Sequence, residues 1–237
     1  MKKYQTVAEK IKERIIAGQY KPQSLLPNQS ELAKEFGVSK ITIKNALDRL
    51  AHEGLVYKKS GMGTCVLGIA PMLGRHDSSV DSISGLTAQQ GSEHVSSKVI
   101  KFDVAFPSED ICQKLNLKSN DPVYKIIRLR LLDNEPFILE HTYMPVGLVP
   151  NLSKDVLEHS VYSYIHHELG IRFGGAYRKI HAAKPDEYDL KYLGAAQDTP
   201  ILEVEQILWT VNGGNIEYSR ARNLYDARSY TVVEISD

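Results

Sequence analysis

Cysteine is scarce. Cys65 and Cys112 are the 2 cysteines among 237 residues, too few for a disulfide framework and without metal-ligand spacing. Each reads as a small buried apolar residue. No apolar run approaches the roughly 20 residues that cross a bilayer. The opening MKKYQTVAEK also lacks the apolar block of a secretion signal, so a cytoplasmic chain with no membrane partner is expected. Internal repeats, low-complexity tracts and heptad series are missing, which excludes solenoids and coiled coils. There is no P-loop, nucleophile elbow or metal-ligand cluster. No catalytic residue, metal site or cofactor is therefore expected. The histidines are dispersed, and His166 and His167 on an amphipathic helix read as surface residues.

Net charge is also missing, because 29 basic residues balance 29 acidic ones, but the balance hides an asymmetry. Residues 1 to 70 hold 12 basic and 6 acidic residues, a net of +6, and the remainder hold 17 and 23, a net of −6. A small basic module joined to a larger acidic one fits a chain whose first part alone meets nucleic acid; a merely well-solvated basic surface explains the count equally well. With 42% hydrophobic residues the chain can bury a real core, and its length suits two domains. The Gly, Pro and Ser content of Gly68 to Asp81 reads as a linker, which divides the chain into domains at 1–67 and 82–237 around residues 68–81.

In the first part, Val7, Ala8, Ile11 and Ile15 recur at helical spacing up to Gly18. Asn28 with Glu31 makes an Asn-led capping box for a second helix to about Phe36. After Gly37, Val38 can plug the core and Ser39 can cap a third helix whose inward face is Ile43, Ala46, Leu47 and Leu50. Two short helices around a tight glycine turn make a helix-turn-helix. Its third helix turns Lys40, Thr42, Lys44 and Asn45 outward at the end that reaches base edges and phosphates. Leu55 to Lys59 and Cys65 to Leu67 read as two strands around a Gly61-x-Gly63 turn, a wing with Lys58 and Lys59 beside it.

Taken as a set, Leu26-Pro27, Glu31-Leu32-Ala33, Phe36-Gly37-Val38-Ser39, Ala46-Leu47, Leu50, Glu53-Gly54-Leu55-Val56 and Gly61-x-Gly63-Thr64 resemble the winged helix-turn-helix of GntR-family transcriptional regulators. The resemblance covers residues 4 to 67 and implies double-stranded operator DNA as partner. Where the family often has Ser-Glu-Arg this chain has Asn28-Gln29-Ser30, and lysine replaces arginine at Lys40 and Lys44. Gln29, Ser30, Lys40, Thr42, Lys44, Asn45 and Gly63 are the implied DNA-binding residues.

From Val95 the period changes to alternation, with strands expected at Val95 to Phe106, Val123 to Leu132, Phe137 to Met144, Ala176 to Ala182, Ile201 to Val211 and Ile216 to Tyr225. Tyr230 to Ile235 would extend the last of these. Helices are expected at Ser108 to Leu115, Ser160 to Leu169 and Asp186 to Leu193. Hairpin turns between the strands indicate an antiparallel sheet with helices packed on it, so the second part is α+β. Period two puts Arg128 and Arg130 on one face with Ile126, opposite Ile127, Leu129 and Leu131. A three-residue loop at Asp133 to Glu135 would set Arg128 opposite Glu140, whereas a two-residue loop would separate them. Two arginines near a carboxylate make either a structural ion pair or one wall of a pocket for a phosphorylated polyol.

Ser82-Ile83-Ser84-Gly85, Arg128-Leu129-Arg130, Glu140 with Tyr143 and Pro145, Ser160-Val161-Tyr162 and Ile216-Glu217-Tyr218 resemble the UTRA effector domain, found in the HutC-type branch of the GntR family. The resemblance covers about residues 80 to 237. It implies a chorismate-lyase-like fold and a small-molecule effector, often a sugar phosphate. Ser84-Gly85, Arg128 and Ser160 would hold its anionic end, with Arg130, Glu140 and Glu217 directed to hydroxyls or an amine. A Tyr-Arg-Gly-Asp stretch of sugar-phosphate-binding members is here Asn223-Leu224-Tyr225-Asp226, which places Asn223 at the ligand's polar end. The expected function is a repressor of a carbohydrate uptake or catabolism operon, released by its effector. Two half-sites of a palindromic operator require two winged modules, hence a homodimer. An activator would use the same parts, and a ligand-processing enzyme would use the fold differently.

Overall fold

The computed structural model describes residues 3–59, 61–68, 77–80, 83 and 85–232. The chain divides into two compact units, one of residues 1–82 with 229–237 and one of residues 83–228.

In the first unit, helices α1 (Lys3–Ile16), α2 (Gln29–Phe36) and α3 (Lys40–His52) pack their apolar stripes together. Asn28 accepts from the backbone N–H groups of Ser30 and Glu31 at 2.9 and 3.1 Å, and Glu31 accepts from that of Asn28 at 2.8 Å. This reciprocal cap satisfies donors the helix cannot use itself. Gly37 closes α2 at φ 62°, the left-handed region where a side chain would be strained. Val38 then packs on the core formed by Ile11, Leu32, Ile43, Leu47 and Leu50. Strands β1 (Val56–Lys59) and β2 (Gly63–Val66) pair antiparallel, completing the three-helix and wing arrangement that the sequence predicts.

Part of the segment read as a linker is structured. Asp77–Ser79 forms β3 and pairs in parallel with β10 (Ser229–Thr231). The extension of the last long strand expected at Tyr230 to Ile235 is thus a separate short strand, and residues 229–237 group with the first unit. The reason is local: a turn in which Ala227 N–H donates to the Leu224 carbonyl at 3.1 Å ends the preceding strand. Residues 69–76, 81 and 233–235 lie outside the described residues.

The second unit is a six-stranded antiparallel sheet in the order β4 (Val95–Ala105), β5 (Val123–Leu132), β6 (Glu135–Pro145), β9 (Asn215–Leu224), β8 (Ile201–Thr210), β7 (Phe173–Ala183). On one face, Tyr124, Ile126, Met144 and Leu208 cluster with Leu157 of α6 (Lys154–Glu158) and with Val161 and Ile165 of α7 (Val161–His167). On the other, Ile127, Leu129 and Leu139 meet Leu193, Tyr188 and Tyr192. The helix expected at Asp186 to Leu193 is there, but its Asp189–Leu193 turn is wider, of π type. Ile111 and Leu115 of α5 (Glu109–Leu115) join Val123 and Tyr218. Helices α4 (Leu86–Gln90) and α6 are additions that the sequence pattern did not announce; five residues are too short to show a period. Among the described residues no helix is long and apolar enough to cross a membrane.

The β5–β6 hairpin departs from expectation in an informative way. Its turn has two residues, Asp133 and Asn134 at φ 51° and 71°, as a type I′ turn requires. Leu132 therefore faces Glu135, the register that by itself would separate Arg128 from Glu140. An irregularity after Leu131↔Pro136 skips Phe137, so that Arg130 faces Ile138 and Arg128 faces Glu140 after all.

Within the first unit, Glu53 ties α1 to the end of α3: Lys12 donates to it at 3.0 Å and Arg49 at 2.7 Å, while Arg49 also reaches Glu9 at 2.8 Å. Burial works against ionisation of Glu53, but Lys12 and Arg49 outweigh it and hold its carboxyl below the ordinary value. Its stabilisation is thus present above the ordinary carboxylate range and lost as pH falls through the depressed value. Glu53→Gln is expected to loosen α1 by about 1–2 kcal/mol. Amide hydrogen exchange of α1 should then be roughly tenfold faster at neutral pH, with wild type and variant converging in acid.

Candidate functional site

Two sets of side chains stand out, one in each unit. In the first, Gln29 and Ser30 are exposed on the opening turn of α2, and Lys40, Lys44 and Asn45 are exposed on α3. Gly63 is exposed at the wing, at φ 118°, a conformation that favours glycine and leaves no Cβ between the backbone and a ligand. Thr42 is only half-exposed, because its hydroxyl shares a hydrogen bond of 2.9 Å with Ser39, the cap of α3. Its first task is therefore to fix the opening turn of that helix. Lys58 is paired with Asp48 of α3, and Lys59 of β1 is exposed with no ion-pair partner among the described residues.

In the second unit the strand registers place Arg128, Glu140, Ala221 and Val204 in one row across β5, β6, β9 and β8. Arg128 and Arg130 are 7% and 4% exposed. Arg128 donates through Nη1 to the Leu157 carbonyl at 2.9 Å and through Nη2 to Glu140 at 2.6 Å. Arg130 donates to Thr87 at 2.7 Å and to Glu140 at 3.5 Å. One carboxylate thus serves two buried guanidiniums, and the Nε of each arginine has no hydrogen-bond partner among the described residues. Burial disfavours ionisation of Glu140, yet the two arginines hold its carboxyl below the ordinary value. Arg130 is itself lowered, by burial first and by Arg128 beside it.

Further along the same face lies a second carboxylate with the opposite bias. Glu217 accepts from Ser219 at 2.7 Å, Tyr162 at 3.0 Å and Gln206 at 3.1 Å. Burial raises its pKa, with the charge of Glu140 adding to the effect, in spite of those donors. Burial and Glu217 likewise push the Tyr162 phenol well above its ordinary value. Gly85 begins α4 against the Tyr162 ring: a Cβ there would lie 3.4 Å from it. Ser160 caps α7, its hydroxyl accepting from the Ser163 N–H at 3.2 Å.

The structure therefore brings Gly85, Arg128, Arg130, Glu140 and Glu217 to one sheet face, with Ser160 on the helix that supplies Tyr162. Ser84 lies outside the described residues. Asn223 is wholly buried and its amide donates to the Phe137 carbonyl at 2.6 Å, so it braces the hairpin irregularity; its Oδ1 has no partner. Thr87, Gln206 and Ser219 were not singled out from the sequence, and Tyr162 stood there only within the Ser160-Val161-Tyr162 segment, without a role. Ser219 was accessible from period two, sharing a face with Glu217, whereas Gln206 and Thr87 are recruited by tertiary pairing alone.

The opposite face carries another charged group. Arg222 reaches Asp189 at 2.6 Å, the Lys184 carbonyl at 2.8 Å, and Glu203. Histidines read as dispersed include His181, which lies 3.5 Å from Glu203 and 3.2 Å from Glu205. Arg220, Arg222, Lys114 and Lys179 already surround these carboxylates, the chemistry of an ion-pair network.

Glu140→Gln would leave both guanidiniums buried without a counter-charge. It is expected to destabilise the second unit by about 3–5 kcal/mol, measurable by urea unfolding followed through the sole tryptophan, Trp209 of β8. Sulfate or phosphate should restore part of the loss in the variant. The ion pair itself should weaken as pH falls through the depressed Glu140 value.

Comparison with known proteins agrees with both units. Residues 3–66 match the model described as bacterial regulatory proteins, gntR family, and residues 89–229 match the UTRA domain. The chain is 39% identical over 235 residues to the HTH-type transcriptional regulator GmuR of Bacillus subtilis (strain 168), covering 99% of each. It is 30% identical over 232 residues to the mannosyl-D-glycerate transport/metabolism system repressor MngR of Escherichia coli (strain K12), covering 97% of this chain and 95% of that one. The crystal structure of YydK from Bacillus subtilis, a possible transcriptional regulator, superposes with a TM-score of 0.77 at 27% identity, covering 99% of this chain and 100% of that one. A basic winged helix followed by this α+β domain, matched in order and over nearly the whole length, places the chain in the GntR family of bacterial regulatory proteins, as a DNA-binding transcriptional regulator with a UTRA domain.

Proposed function

We propose that the protein is a homodimeric repressor of a carbohydrate uptake or catabolism operon, released from its palindromic operator by a phosphorylated sugar or similar anionic effector. The observation that supports an anionic effector is the arrangement of Arg128 and Arg130, two buried cations sharing one carboxylate with an Nε–H left unpaired on each. Buried donors without acceptors are costly, and an anion relieves them. Arg128, Gly85, Ser160 and Ser84 hold the anionic end. Arg130, Glu140, Glu217 and Asn223 meet hydroxyls, aided by Tyr162 and Gln206. Relatives such as MngR and the probable fructoselysine utilization operon transcriptional repressor of Escherichia coli (strain K12) support the sugar-related class by name.

At the DNA, Gln29, Ser30, Lys40, Lys44, Asn45 and Gly63 make the contacts, with Thr42 positioning the first turn of α3. The wing and recognition helix of one copy cover one half-site, so two copies span the operator.

Hexose 6-phosphates are expected to raise the melting temperature and to release the duplex lying upstream of the gene in mobility-shift assays, while the unphosphorylated hexoses do neither. Ser160→Ala should weaken both effects together. By linkage, that duplex must weaken sugar-phosphate binding by the same factor; equal affinity for free and DNA-bound protein would overturn release by that ligand. Lys44→Ala is expected to lower DNA affinity and to reduce the slope of log affinity against log salt by about one unit.

A further inference from the structure

We propose that Ile41 reads the C5-methyl group of a thymine in the major groove and is a specificity-determining residue of the DNA-binding module. This rests on the assignment of α3 as the recognition helix. Ile41 is 72% exposed, more than any other large apolar side chain among the described residues. Its neighbours in the helix explain why that is anomalous. Ile43, Ala46, Leu47 and Leu50 fill the core, and steps of about 100° per residue put Ile41 diametrically opposite them. Burying a side chain of this type is worth roughly 1.5–3 kcal/mol, a gain forgone at this position in the free protein.

The position, the shape and the surroundings name one occupant. Ile41 lies in the first turn of α3, directly after Lys40 and three residues before Lys44, both exposed. A flanking pair of lysines complements a polyanion, and the first turn of a recognition helix is the part that reaches base edges. A branched hydrocarbon neither accepts nor donates a hydrogen bond, so phosphates and the polar edges of bases offer it nothing. The thymine methyl is the apolar feature that the major groove presents. A β-branched side chain in a helix holds essentially one χ1 rotamer, and the Ser39–Thr42 hydrogen bond at 2.9 Å fixes the turn that carries it. The apolar surface is therefore presented in a preset orientation.

The test uses the full chain and duplexes selected from a randomised pool by wild type and by Ile41→Ala. The wild-type consensus is expected to contain T·A pairs, related by its two-fold symmetry, that the variant's consensus lacks. Replacing those thymines by deoxyuracil removes only the methyl group. Each replacement should weaken wild-type binding by about fourfold, the equivalent of roughly 0.8 kcal/mol for one methyl-sized group, and should leave Ile41→Ala unaffected. Ile41→Val should keep the sensitivity. The salt slope should be the same in wild type and variant, since no phosphate contact is removed. An equal response of wild type and Ile41→Ala to deoxyuracil would overturn the proposal while leaving the recognition helix in place. A changed oligomeric state of Ile41→Ala in light scattering would overturn it in favour of a protein contact. Failure of the wild type to select any consensus would overturn the DNA-binding assignment on which it rests.

Discussion

The hydrogen-bonded pair of Arg128 and Glu140 is the interaction on which the sheet of the second unit depends. It requires β5 and β6 to be in one register, and the two-residue turn at Asp133 and Asn134 favours another. The bulge at Phe137 reconciles them, and the buried amide of Asn223 from β9 holds the bulge by its carbonyl. The site is therefore built by three strands, and a change in the hairpin turn reaches it through register.

The buried arginines on the two faces of the sheet are paired differently. Every guanidinium nitrogen of Arg222 has a partner in Asp189, Glu203 or the Lys184 carbonyl. That network is closed, as a structural ion cluster must be in a medium that penalises unpaired charge. On the other face, Arg128 Nε, Arg130 Nε and Asn223 Oδ1 find no partner among the described residues, and beside the Arg222 network the buried His141 Nε2 is likewise without one. The two arginine clusters thus differ in how fully each guanidinium is paired: Arg222 at every nitrogen, Arg128 and Arg130 not at Nε.

The first unit was nearly all legible in the sequence because its signals are local. The Asn28–Glu31 box, Gly37, Ser39 and the inward stripe of α3 each need only a few neighbouring residues. The strands of the second unit and the shared face of Arg128 and Arg130 were also legible from period two. Three features were not. The bulge at Phe137 depends on Asn223, far along the chain. Two partners of Glu217, Tyr162 and Gln206, come from α7 and β8, which only the fold brings to β9. The β3–β10 pair joins segments whose separate patterns read as linker and as strand extension, and parallel pairing over three residues leaves almost no periodic trace.

That short pair has a topological meaning. Residues 83–228 are inserted between β3 and β10, so the second unit is an insertion flanked by the two strands of a single ladder. Three-residue strands do not stay paired by themselves, and closing so long a loop carries an entropic cost. The folded domain meets that cost by holding its own ends together. The ladder is consequently a pairing between residues separated by a whole folded unit along the chain, which makes it the most non-local strand pairing of the first unit among the described residues.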